Sequence, residues 1–315
     1  MPERGVDNGM QTNRAETPRM DSGRPAIGWI GAGKMGAPMI RNLLAAGTTV
    51  SVTEPDAQVL RDLERAGAIG AATLDLHSGN DIVFATLPND QVLREVVLGK
   101  EGATGLVHHL APGAIFVEMS TVSPECSTEI ALALRKHGIA YLRAPLSGST
   151  TLAEKAALTV LASGDEAAWE TVLPTIRLLS TRQFFLGPGE EARYMKLVIN
   201  TLVGASSAIL AEAVALGESG GLSRASMMDV ICESAVASPL LRYKAEAVVK
   251  ADYTPAFTIA QMIKDFSLIS DAGRANGVPL LTTGLILELY RAAANSGLRD
   301  QDFFALVKWQ SEISA

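Results

Sequence analysis

The chain has 315 residues, 48% of them hydrophobic and 19% charged. That is enough apolar material for about two domains with real cores, and it excludes a disordered chain. The 27 Lys and Arg stand against 34 Asp and Glu, a net charge of −7. This argues against a nucleic-acid partner, which would want a basic face.

In chain order, residues 1–24 are polar and of mixed charge, with no apolar stretch of a secretory signal. They are expected to form a flexible tail. A strand is predicted over 26–30 (AIGWI), then a glycine-rich turn over 31–36 and a helix over 37–46 that ends at Gly47. A strand over 48–52 and a helix over 57–65 closed by Gly67 come next. The strand over 81–86 stops at Pro88 and leads to a helix over 91–97. A strand over 114–118 precedes a helix over 124–137 stopped by Gly138. Strands over 139–142 and 158–162, a helix over 169–179 and a strand over 183–186 complete this half. Strands alternating with helical stretches predict parallel β-α-β units.

The pattern changes after Gly187, and Pro188-Gly189 marks the boundary. No strand is predicted over 190–315, where long helices dominate, among them 192–217 and 283–294. The apolar run 197–211 is shorter than the ~20 residues of a membrane span, and Lys196 and Glu212 bracket it, so a buried helix is expected and no membrane partner. Two cysteines, Cys126 and Cys232, are too few for a disulfide framework or a thiolate metal site and fit a reducing cytoplasm. His77, His108, His109 and His137 have no carboxylate or cysteine at metal spacing, so no metal site is expected and they are placed on the surface or in loops.

The turn Gly31-Ala32-Gly33-Lys34-Met35-Gly36 is GxGxxG between a predicted strand and a predicted helix, the context that gives this pattern its meaning. Gly31 allows the tight turn, Gly33 lets a pyrophosphate approach the backbone, and Gly36 lets the helix pack on the sheet. The helix N-terminus then offers free N–H groups and partial positive charge to the phosphates. Glu54 ends the second strand eighteen residues after Gly36. An acid there accepts hydrogen bonds from ribose hydroxyls and repels a 2′-phosphate, and Pro55 and Asp56 supply no arginine clamp. NAD is the expected cofactor, with NADP as the alternative. The predicted fold class is therefore α/β: a Rossmann-type dinucleotide-binding domain over 25–187, then an all-α domain over 188–315 for substrate and oligomerisation.

Six stretches occur in a fixed order: GAGKMGAPMIRNLLAAG (31–47), EMSTVSP (118–124), APLSGS (144–149), YMKLVIN (194–200), FTIAQMIKD (257–265) and LRDQDFFAL (298–306). In them the chain resembles the β-hydroxyacid dehydrogenase family, whose members include 3-hydroxyisobutyrate dehydrogenase. The Ser-Gly-Ser form and the YTPAF segment look closest to the glyoxylate/succinic semialdehyde reductase branch. The resemblance implies hydride transfer between a nicotinamide and a small β-hydroxy acid or its semialdehyde, with Lys196 as general acid and base. It implies that Ser147 and Gly148 hold the substrate carboxylate and that Asn200, four residues beyond Lys196, holds substrate or lysine. Thr121 matches a threonine beside nicotinamide and substrate, although its place before Pro124 also suits a helix cap. Leu87 and Pro88 match a loop under the adenosine side, Phe257 and Asp265 residues that close the pocket, and Lys264 a lysine that reaches back to the cofactor.

The chain departs from the family where Arg143 replaces a common acid and where Leu152 and Ala156 replace common glycines beside Lys155. These departures imply a shifted preference, toward a more anionic or bulkier acid. The branch itself uses NADP, against the indication of Glu54. Two alternatives are an imine reductase, which usually replaces the lysine, and a non-catalytic dinucleotide-binding module. The family resemblance implies a homodimer or homotetramer, with the helical half as the interface.

Overall fold

The computed structural model describes residues 25–314; the tail over 1–24 lies outside the described residues. Six strands form a parallel sheet in the order β3-β2-β1-β4-β7-β8: β1 Ile27–Ile30, β2 Val50–Thr53, β3 Ile69–Ala71, β4 Ile82–Ala85, β7 Ile115–Glu118 and β8 Ala140–Arg143. The connecting helices are α1 Gly36–Ala45, α2 Ala57–Arg65, α3 Asp90–Leu98 and α4 Pro124–Lys136, with a small hairpin, β5 Gly99–Lys100 and β6 Ala103–Thr104, after α3. The order reverses direction between β1 and β4, so the loops leaving the carboxyl ends of β1, β2, β4 and β7 gather around one crevice.

The strands are apolar on both faces because helices cover both faces. One face packs Trp29, Val52 and Phe84 against Met39, Ile40 and Leu43 of α1, with the Trp29 and Phe84 rings stacked 5.1 Å apart. The other packs Val83 and Phe116 against Leu93 of α3 and Ile130 of α4. Side chains start several helices: Asp56, Asn89 and Ser123 each accept a backbone N–H of the first turn of α2, α3 and α4.

The alternation predicts parallel units throughout, but the sheet is not wholly parallel. After β8 the chain forms β9 Leu146–Ser147 and α5 Thr150–Glu154, then returns as β10 Leu158–Gly164, antiparallel to both β8 and β9. Helix α6 Glu166–Ile176 and strand β11 Ser180–Phe185 follow, with β11 parallel to β10. The segment between β8 and β10 is spent on β9, which pairs directly with β10, and on the five-residue α5, and it builds no long crossover helix, so the strand comes back antiparallel. At Ala156, where a glycine is common in the family, the backbone stands in the left-handed region at φ 51°.

The second half is helical: α7 Glu191–Ser219, α8 Arg224–Glu233, α9 Pro239–Lys250, α10 Ile259–Ala275, α11 Leu281–Ala293 and α12 Leu306–Ser314. Its core joins Leu197, Ala208, Ala211 and Val214 of α7 to Phe266 of α10 and Tyr290 of α11. Gly204 brings α10 close: a Cβ there would lie 2.2 Å from the Phe266 ring. Helix α7 is long and apolar enough to cross a membrane by length and composition, and its core-facing side carries hydrogen-bonded Arg193, Asn200 and Ser207. Its burial is one-sided, however, and not complete as expected: Met195, Val198, Leu202, Ile209 and Leu216 are exposed along one stripe.

His77 is a correction to the surface placement. It is fully buried beneath β1, where its Nδ1 meets Asn80 Oδ1 at 3.0 Å and its Nε2 meets Thr53 Oγ1 at 2.9 Å. A Cβ on Gly28 would lie 2.5 Å from its ring. Burial lowers its pKa below the ordinary 6.5, against the hydrogen bond to Asn80 Oδ1 that favours the charged form. The unfolded chain therefore takes up this proton at a higher pH than the folded one does. Stability is expected to be full above about pH 6.5 and to fall by up to about 1.4 kcal/mol per pH unit below it. Urea unfolding between pH 7 and pH 5 checks this, and a smaller slope is expected for His77→Gln.

Candidate active site

The turn after β1 has the shape a pyrophosphate needs. Gly31 takes φ +83°, and a Cβ there would lie 2.4 Å from the Thr86 carbonyl. A Cβ on Gly36 would lie 2.3 Å from the Gly31 carbonyl, so helix α1 starts hard against the strand. Above Gly33, by contrast, nothing lies within 4 Å. No side chain caps α1 at Met35, and Lys34 is exposed beside it, so the first turn keeps donors and a positive end for a phosphate. Ala32 is buried at the turn, and its N–H donates to Glu54 Oε2 at 2.6 Å, while Glu54 Oε1 accepts from the Asp56 N–H at 2.9 Å. The carboxylate is thereby fixed at the carboxyl end of β2. These residues fit a dinucleotide whose phosphates face Gly31–Gly36 and whose ribose faces Glu54.

The loops after β4 and β7 interlock. Leu87 donates its N–H to Ser120 Oγ at 2.6 Å, with Pro88 exposed beside it. Ser123, and not Thr121, caps α4, so Thr121 is free of that task. Thr121 is half-buried, and its carbonyl accepts from Lys264 Nζ at 2.8 Å. Lys264 therefore reaches from α10 to the sheet's crevice.

Lys196 and Asn200 lie one turn apart on α7 and share a side of the helix. Asn200 Nδ2 donates to Asp265 Oδ2, and Lys264 Nζ lies 3.0 Å from Asp265 Oδ1. Asp265 is buried, so Lys264 and Asp265 are no solvated pair. Lys196 is half-buried, and among the described residues it makes no ion pair. Burial holds its ammonium below the ordinary 10.5; Asp265 opposes the lowering and Lys264 adds to it.

Ser147 ends β9, and Gly148 follows at φ +141°, where a Cβ would meet Leu158 at 2.8 Å and Leu152 at 3.2 Å. Among the described residues the Ser147 hydroxyl takes no partner and remains available to a ligand. Phe257 packs edge-on against Phe303, a wall built by the segment before α10. Arg143 does not enlarge the positive charge of the pocket. It is buried at the end of β8, ion-paired with Glu190 and lying 4.5 Å over the Tyr141 ring, so it carries no preference for a more anionic substrate.

A second buried pair was not legible. Arg193, three residues before Lys196, is ion-paired with Glu118 at the end of β7, both essentially without exposure. Its neighbour in the sequence is an apolar helix, where an arginine reads equally as a surface charge. The one available signal was Glu118 heading the EMSTVSP motif.

Comparison with known proteins decides the family. A family model described as the NAD binding domain of 6-phosphogluconate dehydrogenase matches residues 26–187, and one described as NAD-binding of NADP-dependent 3-hydroxyisobutyrate dehydrogenase matches 191–310. The chain belongs to the β-hydroxyacid dehydrogenase family. It is 31% identical to 2-(hydroxymethyl)glutarate dehydrogenase of Eubacterium barkeri over 90% of this chain and 94% of that one. It is 32% identical to NAD-dependent L-serine dehydrogenase of Pseudomonas aeruginosa over 90% and 96%. The crystal structure of 3-hydroxyisobutyrate dehydrogenase from Salmonella typhimurium superposes with a TM-score of 0.81 at 28% identity, covering 90% of this chain and 99% of that one. As a member of this family the chain is an NAD(P)-dependent oxidoreductase that moves a hydride between the nicotinamide and a small hydroxy acid or the matching semialdehyde.

The two glycines of this β-hydroxyacid dehydrogenase separate binding from folding. Gly33→Ala fits the fold without contact and is expected to change unfolding free energy by less than about 0.5 kcal/mol. It places a methyl group in the cradle, and NADH affinity measured by fluorescence should fall about tenfold or more. Gly36→Ala collides with the Gly31 carbonyl and should lower the urea midpoint directly.

Proposed function

We propose that Lys196 is the proton-transfer group of this dehydrogenase and that its substrate is a small β-hydroxy acid or semialdehyde held by its carboxylate. The carrying observation is an ammonium that is half-buried at the sheet's crevice and unclaimed by any described carboxylate. Asn200 and Lys264 both engage Asp265, which leaves Lys196 open to an oxygen of the substrate. When bound, the nicotinamide supplies or accepts the hydride. Lys196 Nζ gives a proton to the carbonyl oxygen in reduction and takes it back in oxidation, and its charge stabilises the alkoxide between. Gly148 N–H and the Ser147 hydroxyl hold the carboxylate, and Phe257 with Thr121 bounds the pocket. Retention of Lys196 speaks against both an imine reductase and a non-catalytic module.

Glu54, with both oxygens held by backbone N–H groups, supports NAD over NADP, because a 2′-phosphate would meet a fixed negative charge. Two free cysteines support a cytoplasmic setting, and burial pushes the Cys126 thiol up to about 12. The exposed stripe of α7 and Leu281 and Leu285 of α11 support a homo-oligomer built through the helical half, with a second copy covering these side chains.

Lys196→Ala is expected to leave NADH affinity within about twofold while lowering turnover about 10²- to 10⁴-fold. The panel is succinic semialdehyde, glyoxylate, 3-hydroxyisobutyrate, L-serine and 2-(hydroxymethyl)glutarate, each with NAD(H) and NADP(H). In the reductive direction kcat/KM should decline as pH rises through a value below 10.5, because the acid form is lost, and should rise there in the oxidative direction. Undiminished turnover in the variant would remove the role. For the assembly, light scattering should give a multiple of the chain mass, and Leu202→Glu with Ile209→Glu should reduce it to that of one chain.

A further inference from the structure

Arg193 makes more bonds than an ordinary helix residue at a domain seam. Its guanidinium is ion-paired with Glu118 Oε2, donates through Nη1 to the Ser120 carbonyl at 2.7 Å, and reaches Tyr141 Oη at 3.2 Å. Glu118 Oε1 in turn accepts the Ser120 N–H at 2.6 Å, and Ser120 Oγ accepts the Leu87 N–H. Arg193 and Glu118 together therefore grip Ser120 at both its N–H and its carbonyl, and through Ser120 they grip the loop after β4. Next to it, Thr121 is held by Lys264.

The position of Arg193 on α7 gives this grip its meaning. Lys196 is three residues further on, about 4.5 Å along the axis and on the same side. Whatever fixes Arg193 against Ser120 fixes the lysine relative to the Ser120–Thr121 backbone. Stability alone is a poor reason for such a pair, because replacing both buried charges by neutral groups is often neutral or stabilising, whereas directional bonds specify register.

We propose that Arg193, clamped by Glu118, is a positioning residue: it sets the offset between Lys196 on α7 and the Ser120–Thr121 loop. This rests on the reading of Lys196 as the proton-transfer group. Neither residue touches substrate; both act through the lysine and the loop.

The test is the double variant Arg193→Met with Glu118→Gln, which leaves no unpaired buried charge, in the full chain. NADH affinity and the melting temperature should stay close to those of the parent. With the panel substrate that turns over fastest, kcat should fall about 10²-fold, the loss that a misplacement of about 1 Å produces. The isotope effect with 4-deuterated NADH should grow as hydride transfer becomes limiting. Independently of activity, amide exchange over residues 119–123 of the cofactor-free protein should accelerate. Parental kcat, isotope effect and exchange, with only the melting temperature moved, would overturn the proposal. Should the double variant fail to fold, Arg193→Lys keeps the charge but loses the fork. A fall in kcat of about tenfold with a larger isotope effect is then expected, and parental values for both would overturn the proposal. Undiminished turnover in Lys196→Ala strikes the parent reading instead and leaves the exchange result over 119–123 to judge the clamp.

Discussion

An ammonium in the proposed proton-transfer role must be partly stripped of water and yet not captured by a carboxylate, and the surroundings of Lys196 meet that constraint. Full exposure would leave a lysine permanently charged, and a buried ion pair would lock its proton in place. Lys196 escapes both. Helix α7 carries it into the seam, where desolvation lowers its pKa, and the nearest acid, Asp265, is already engaged by Asn200 and Lys264. Asp265 still helps through space, so the lowering is moderated and not complete.

Helix α7 can meet this demand because it belongs to two structures at once. Its first turns pack on the end of the sheet through Ala192, whose N–H donates to Ser163 Oγ of β10, and through Arg193. Its later turns form the spine of the helical core with Gly204, Ala208 and Ala211, small residues that let α10 and α11 approach. The lysine sits where the helix passes from one surroundings to the other. A shorter helix, ending within either half, would have placed the same residue on a terminus and in water.

Much of this was legible because it is local. The β1 turn and α1 need only the order of apolar residues and glycines over 27–45, and Glu54 follows from the length of one β-α-β unit. Lys196 and Asn200 are neighbours on one helix. What failed to show depends on contacts between distant residues or on pieces too short to have a period. Strand β9 has two residues and α5 has five, so the antiparallel return of β10 left no pattern. Arg193 and Glu118 are 75 residues apart, and neither type announces burial. His77 looked like a loop histidine because Thr53 and Asn80, which satisfy its ring, come from β2 and from the start of β4's approach.

The chemistry of the two sides of α7 then becomes intelligible as a division between register and affinity. Toward the sheet the contacts are directional: Arg193 to Glu118 and Ser120, Arg143 to Glu190 at the start of the helix, and Lys264 from α10 to Thr121. Toward α10 and α11 they are largely apolar, and on the far side they are apolar and uncovered. Apolar surfaces gain free energy in proportion to area and tolerate small slides, whereas a guanidinium fork loses its partners when displaced by a fraction of an ångström. The sheet side of the helix is the one that faces the crevice, where the proposed proton transfer accompanies the hydride. Directional bonds are concentrated there, although burying their charges adds little stability, and the apolar contacts hold the remainder of the domain where register matters less.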